Sequence, residues 1–407
     1  MEIIDILNKT VSAIDAIKNT LPISATLYEQ LHNNLLIEYN RFLETKCEKI
    51  SDKEKGEGYR IPESQFTRFI RIKEKISKLE ISLNIAPRNY IISLISQFDF
   101  YIGNLIRYVL NKQPEILNTS DRKLTFADIK KFDSIEKAIT YLIEKEVDSV
   151  IRCSHDDHLK WFEKKLNINL RSDKKLIEEF IEITERRNLF THCDGSVNES
   201  YLEKVGRNSD TIVVGSKLSV SPEYFQHSCD VIFLIVVYLG HIVWNILDPD
   251  DSIKKNLNTI AYEQIQEENY NIAENILNFA LNSFGKIRIL ALDTMLKINL
   301  SQTYLWQERD EESKKILSEI DWSLCTEEYL IAKAVIERDF RTAIRMIKED
   351  NNKRKVIGKN ELIEWPLFKE LRKTEEFKEY FKKQYGENAI VQKRQNIDTE
   401  VKISTML

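Results

Sequence analysis

Near the end of one segment stand three side chains whose types suit acid–base and phosphate chemistry of the kind that cleaves RNA without a metal. Residues 177–202 read IEEFIEITERRNLFTHCDGSVNESYL and carry Arg187, Asn188 and His192. An imidazole exchanges a proton with a 2′-hydroxyl or a leaving oxygen near neutral pH. A guanidinium grips a phosphate through two parallel hydrogen bonds and opposes the charge developing on it. An amide can orient either group. Asn188 and His192 are one helical turn apart and share a face. Arg187 precedes His192 by five residues, so it sits about 140° around an ideal helix, within reach of a bending side chain. Arg186 is a second phosphate-binding candidate.

Spacing alone is not specific. With 20 Arg and 6 His in the chain, an Arg followed by His after four to six residues arises by chance about once. Arg152 and His158 match as well, but Asp156 and Asp157 beside them point to a solvated loop and helix cap. Cys153, His155 and His158 are metal-ligating types, yet no second ligand pair follows at useful spacing, so no metal is expected. His241 lies in an apolar stretch and reads as a satisfied core histidine. No phosphate-cradling glycine loop and no GxSxG elbow is present, and no cofactor is expected.

Context adds what spacing lacks. ERRNLFTH, then CDGSVNESYL, then GSKLSVSPEYF and an apolar closing helix together resemble the HEPN superfamily, over roughly residues 86–248. Members are compact helical domains, many of them ribonucleases with an Arg-x4-6-His motif on the penultimate long helix. Their Arg is often followed by Asn, as Arg187 is by Asn188. The resemblance implies that Arg187, Asn188 and His192 take the catalytic positions. It also implies an RNA substrate and a homodimer in which two motifs face one cleft. The setting it implies is that of a bacterial toxin or phage-defence effector.

The elements that must position these residues read as helices, and the fold class is all-α. Ten Gly and 7 Pro in 407 residues leave few chain breakers. Helical spacing runs through residues 1–84, interrupted by a polar loop at 51–62, and forms an N-terminal helical region. Pro87 marks a boundary. Residues 85–248 form the HEPN-like bundle: helices over 88–112, 132–150, 155–166, 173–192 and 230–247, with a short hairpin around Gly215. Residues 253–385 read as tetratricopeptide-like helical hairpins, because Tyr270-x-x-Ala273 recurs as Phe340-x-x-Ala343, 70 residues on. The intervening segment from Asp310 fits only out of phase. Residues 386–407 read as a flexible tail.

Charge and hydropathy narrow the partners. The net charge is −5, so any contact with RNA must come from a local patch. Residues 152–187 carry nine basic and eight acidic side chains, which cannot coat RNA; a cleft must gather cations from a second copy or another part of the fold. The apolar run 231–247 contains Gly240, His241 and Asn245 and suits a buried helix better than a bilayer span. Five scattered Cys without a CxxC pair favour reduced thiols and so a cytoplasmic location. The helical repeats offer a surface for an antitoxin or regulatory protein. The alternative is a non-catalytic interaction or nucleotide-binding protein built on the same helices.

Overall fold

The computed structural model describes residues 2–52, 56–119, 124–206, 212–284, 290–353 and 357–388. Within them lie sixteen α-helices and one two-stranded sheet, an all-α architecture. The chain divides into two compact units, Met1–Pro249 and Asp250–Leu407.

The first unit opens with a long helical hairpin: α1 (Ile3–Lys46), β1 (Glu48–Asp52), β2 (Gly56–Arg60) and α2 (Glu63–Lys112). Its outer half is a two-helix coiled coil. Covered positions recur in alternating steps of four and three: Leu21, Ala25, Tyr28, His32, Leu35, Tyr39 and Phe42 on α1, Phe69, Ile72, Ile76, Leu79 and Leu83 on α2. Phe69 meets Tyr39 at 6.1 Å and Phe42 at 6.4 Å between ring centroids. So narrow a pair leaves Ile23, Leu27, Ile37, Phe66 and Ile81 exposed.

Two expectations fail in this hairpin. Helix α2 runs unbroken through Pro87, so the boundary at residues 84–85 falls inside a helix. Pro22 sits inside α1 at a matching level, where Tyr90 donates to Ser24 Oγ across the pair at 3.0 Å. Each proline removes one helical hydrogen bond, and packing along the pair carries the helices past the gap. The polar segment 51–62 is not a plain loop: Lys49 pairs with Tyr59 and Ser51 with Glu57 in an antiparallel ladder. Ion pairs join Lys49 to Glu57 at 2.8 Å and Arg60 to Glu48 at 3.3 Å. Hydrophobic alternation could not reveal strands whose side chains are mostly polar or glycine. Residues 53–55 lie outside the described set.

The inner half of the hairpin packs into a bundle with α3 (Phe126–Ile129), α4 (Ile135–Ile151), α5 (His155–Leu166), α6 (Lys174–His192), α7 (Glu199–Val205) and α8 (Pro222–Leu247). Helix α8 is its axis, set against α1, α2 and α6. Alone among the described residues it is long and apolar enough to cross a membrane, and most of that stretch is buried in the bundle. Gly240 fits α8 against its neighbours: a Cβ there would lie 2.4 Å from Leu7 Cδ2 and 2.7 Å from the Tyr101 hydroxyl. That hydroxyl donates to the Val236 carbonyl at 2.9 Å. His241 is fully buried with Nδ1 2.7 Å from the Val237 carbonyl, the core histidine expected. Around Gly215 the chain turns but forms no hairpin among the described residues. It pairs instead with the segment that follows α6, through a Ser196–Lys217 bridge; Thr211 lies outside the described set.

The second unit stacks helical hairpins: α9 (Ser252–Gln266) with α10 (Tyr270–Asn282), α11 (Leu290–Trp306) with α12 (Asp310–Ser318), and α13 (Glu327–Ile336) with α14 (Phe340–Lys353). Helices α15 (Lys359–Glu364) and α16 (Glu375–Tyr385) cap the stack. The three inter-helix turns are copies. Asn269 N bonds Gln264 O at 2.9 Å, Arg309 N bonds Tyr304 O at 3.0 Å, and Asp339 N bonds Ala334 O at 2.8 Å. Glu268, Glu308 and Arg338 each take positive φ there, 62°, 62° and 60°. The fourth residue of each following helix is small and buried: Ala273, Ser313 and Ala343. The middle hairpin is therefore in phase structurally. Its small residue is a serine, paired to Ser301 Oγ at 2.9 Å, and the repeats are unequal in length. Residues 389–407, in the expected tail, lie outside the described set.

Candidate functional site

Asp173 caps the start of α6, its carboxylate accepting from Leu176 N at 3.0 Å. It stops where Asp194 and Gly195 take positive φ, 49° and 76°. Gly195 suits this turn doubly, since a Cβ would also meet the Leu218 carbonyl at 3.1 Å. Arg88 (2.8 Å) and Lys217 hold the Asp194 carboxylate.

Burial of Ile177, Phe180, Ile183 and Leu189 fixes the rotation of α6. That rotation separates the three candidates. Arg187 turns inward to α2: Nη2 donates to Asp99 Oδ2 at 2.8 Å and Nη1 to Asn188 Oδ1 at 3.1 Å. Asn188 is half-buried beside it, and His192 is exposed on the last turn. Among the described residues His192 makes no hydrogen bond or ion pair. The structure brings Arg187 and Asn188 together and leaves His192 standing in solvent.

Arg186 does not stand open to a phosphate. Its Nε donates to Glu182 Oε1 at 2.7 Å, and its guanidinium lies 3.9 Å over the Tyr224 ring. Glu182 also accepts from the hydroxyls of Tyr201 at 2.7 Å and Tyr224 at 2.8 Å. Arg186 thus ties α6 to α7 and α8.

Beneath Arg187 lies a cluster that the motif does not contain. His155 Nε2 donates to Asp99 Oδ1 at 2.9 Å, so one carboxylate serves His155 and Arg187 together. Burial pushes the Asp99 carboxyl up. The His155 hydrogen bond, with the charges of His155 and Arg187, outweighs it and holds the group below the ordinary carboxylate range. His158 lies one turn on, its ring 5.0 Å from that of His155. It is fully buried, and neither ring nitrogen has a hydrogen-bond partner. This corrects the solvated reading of His158. Leu159 and Phe162 pull their face of α5 inward, while Asp157 alone in that turn stays exposed. Arg152 is exposed at the end of α4, as expected.

Burial, aided by His155, pushes the His158 imidazole down to about 4, against Asp99 and the nearby carbonyls of Ile151 and Val150. The ring is neutral at pH 7. Each buried polar atom without a partner costs about 1–3 kcal/mol. His158 carries two such nitrogens and Arg187 Nε is a third. The three metal-ligating types that the sequence sets near one another, from which no metal is expected, are not what the fold brings together. Cys153 is exposed, with Sγ 3.3 Å from the Ser149 carbonyl. Asp99 takes its place: its oxygen and the nitrogens of His155 and His158 lie within 4.8 Å of one another. Asp99 was missed because it is 88 residues from Arg187 in the chain. It did leave a signal, as the only acidic residue in the apolar stretch from Arg88 to Lys112.

Comparison with protein-family models, curated proteins and solved structures finds no match for this chain.

Proposed function

We propose that the chain is a HEPN-type endoribonuclease whose acid–base group is His192 and whose phosphate-side group is Arg187. The observation that carries the reading is the end of α6. A free, exposed imidazole stands one turn beyond an Arg–Asn pair anchored by a half-buried carboxylate. Anchoring by Asp99 orients Arg187 before substrate arrives. Arg187 must exchange its bond to Asn188 or Asp99 to grip a phosphate. His192 takes the 2′-hydroxyl proton and the 2′-oxygen attacks phosphorus. The P–O5′ bond breaks, leaving a 2′,3′-cyclic phosphate and a 5′-hydroxyl. One chain offers one exposed histidine at this site, and acid and base on one phosphate want two, so the active species is a homodimer. The apolar side chains on the outer coiled coil, Ile23, Leu27, Ile37 and Phe66 among them, give a second copy apolar surface to cover. A cytoplasmic toxin or phage-defence role, with the second unit binding a regulator, belongs to the same reading.

The test is incubation of the purified chain with total RNA and analysis of the ends. Cyclic phosphate ends in the wild type, absent with His192→Ala, support the proposal; RNA left intact at high enzyme concentration removes it. A second reading has its own observation: Arg186 and Arg187 are both spent on internal contacts. On it, the segment is a structural knot in a non-catalytic interaction protein, and Arg187→Ala lowers stability without touching any activity.

A further inference from the structure

Among the described residues His158 stands out, because both of its ring nitrogens are buried without a well-formed hydrogen bond. A fully buried imidazole, with carbonyls of Val150 and Ile151 nearby but neither nitrogen in a well-formed hydrogen bond, lies beside a second imidazole and a carboxylate. We propose that Asp99, His155 and His158 bind a divalent transition-metal ion of the zinc class, in a centre that fixes Asp99 and through it Arg187. Two imidazoles three residues apart on one helix and a carboxylate from another make a ligand set that suits such ions. The ligand atoms already converge within 4.8 Å. The ion would take the place of the His155 proton now facing Asp99 Oδ1, and give a ring nitrogen of His158 a strong partner in place of poorly aligned carbonyls. Carboxylates on metals keep an outer hydrogen bond from their second oxygen; here that bond exists, from Arg187 Nη2 to Asp99 Oδ2 at 2.8 Å. Phe98 and Phe180 flank His155, with centroids 6.1 and 6.3 Å from its ring, and shield it from water. One carboxylate beside an arginine is short of negative charge, so micromolar rather than nanomolar binding is expected. Water completes the coordination. The centre positions residues and takes no step in RNA cleavage, so it stands or falls independently of the ribonuclease reading.

The experiment uses the full chain, stripped with chelator and desalted, without RNA. Co2+ is added and followed by visible absorption, and Zn2+ by calorimetry. The expected result is one ion per chain, with the intensified absorption of low-coordinate cobalt. Binding should weaken about 10–100-fold or more in His158→Gln and Asp99→Asn. Cys153→Ser and His192→Ala should bind as the wild type does. No saturable binding by the wild type, or equal binding by folded His158→Gln, overturns the proposal. If His158→Gln does not fold, the ring nitrogen signals of the wild type decide. Zn2+ must shift those of His155 and His158, and shifts confined to other histidines overturn it.

Discussion

At the residue scale the organising atom pair is the carboxylate of Asp99, one oxygen on His155 and the other on Arg187. A charge-assisted hydrogen bond of this kind contributes about 1.5–3 kcal/mol. If it positions Arg187, Asp99→Asn should lower RNA cleavage by about tenfold or more while helical circular dichroism is retained; unchanged cleavage would remove Asp99 from the account. The thiols give a separate check on burial. Burial pushes Cys229 up to about 12, so it stays protonated and covered, whereas Cys153 is exposed. Alkylation at pH 8 should label Cys153 within the folded chain and Cys229 only on unfolding. Equal labelling of both would contradict the packing around α8. Arg187, Asn188 and His192 were legible because they sit together in one segment and their types carry the chemistry. Asp99 and the burial of His158 were not, because they depend on how α2, α5 and α6 meet.

At the element scale, helix existence was legible from 3.6-residue spacing, and helix continuity was not. Pro87 reads as a stop in sequence, yet α2 passes through it because the coiled coil and bundle supply packing on both sides. The β-ribbon between α1 and α2 was hidden by its polar composition. Gly240 makes a sharp test of the bundle. Its missing Cβ is where Leu7 and the Tyr101 hydroxyl lie. Gly240→Ala should destabilise the first unit by about 1–3 kcal/mol through overpacking, read as a lower denaturation midpoint. A neutral or stabilising effect would mean that the α8 packing is wrong. In the second unit the repeat was legible only at its two ends, through Ala273 and Ala343. Ser313 fills the same place and breaks the sequence pattern. The shared turn explains the order. Each hairpin needs one residue at positive φ, supplied here by Glu268, Glu308 and Arg338. Such a conformation costs an L-residue about 1–2 kcal/mol. Glu308→Gly should therefore raise stability by up to about 1 kcal/mol, and a clear loss would show that its side chain matters more than its backbone.

At the scale of the whole molecule, the division after Pro249 separates a bundle with the candidate site from a stack of helical hairpins. A net charge of −5 gives no general attraction to RNA, so the reading depends on local groups brought to one cleft by two chains. Sedimentation at assay concentration should find a dimer, and a fully active monomer would contradict the two-histidine scheme. Composition made the helical class legible, through so few Gly and Pro. No property of the sequence as a whole, charge included, could say which helix faces a second copy. The most direct measurement of the central claim is cleavage of total RNA by wild type, His192→Ala and Arg187→Ala at equal folded concentration, with the ends of the fragments mapped. The account expects 2′,3′-cyclic phosphate ends from the wild type. It expects a loss of about 10²–10⁴-fold in His192→Ala and about 10²–10³-fold in Arg187→Ala. Folded His192→Ala that cleaves RNA as fast as the wild type would contradict it.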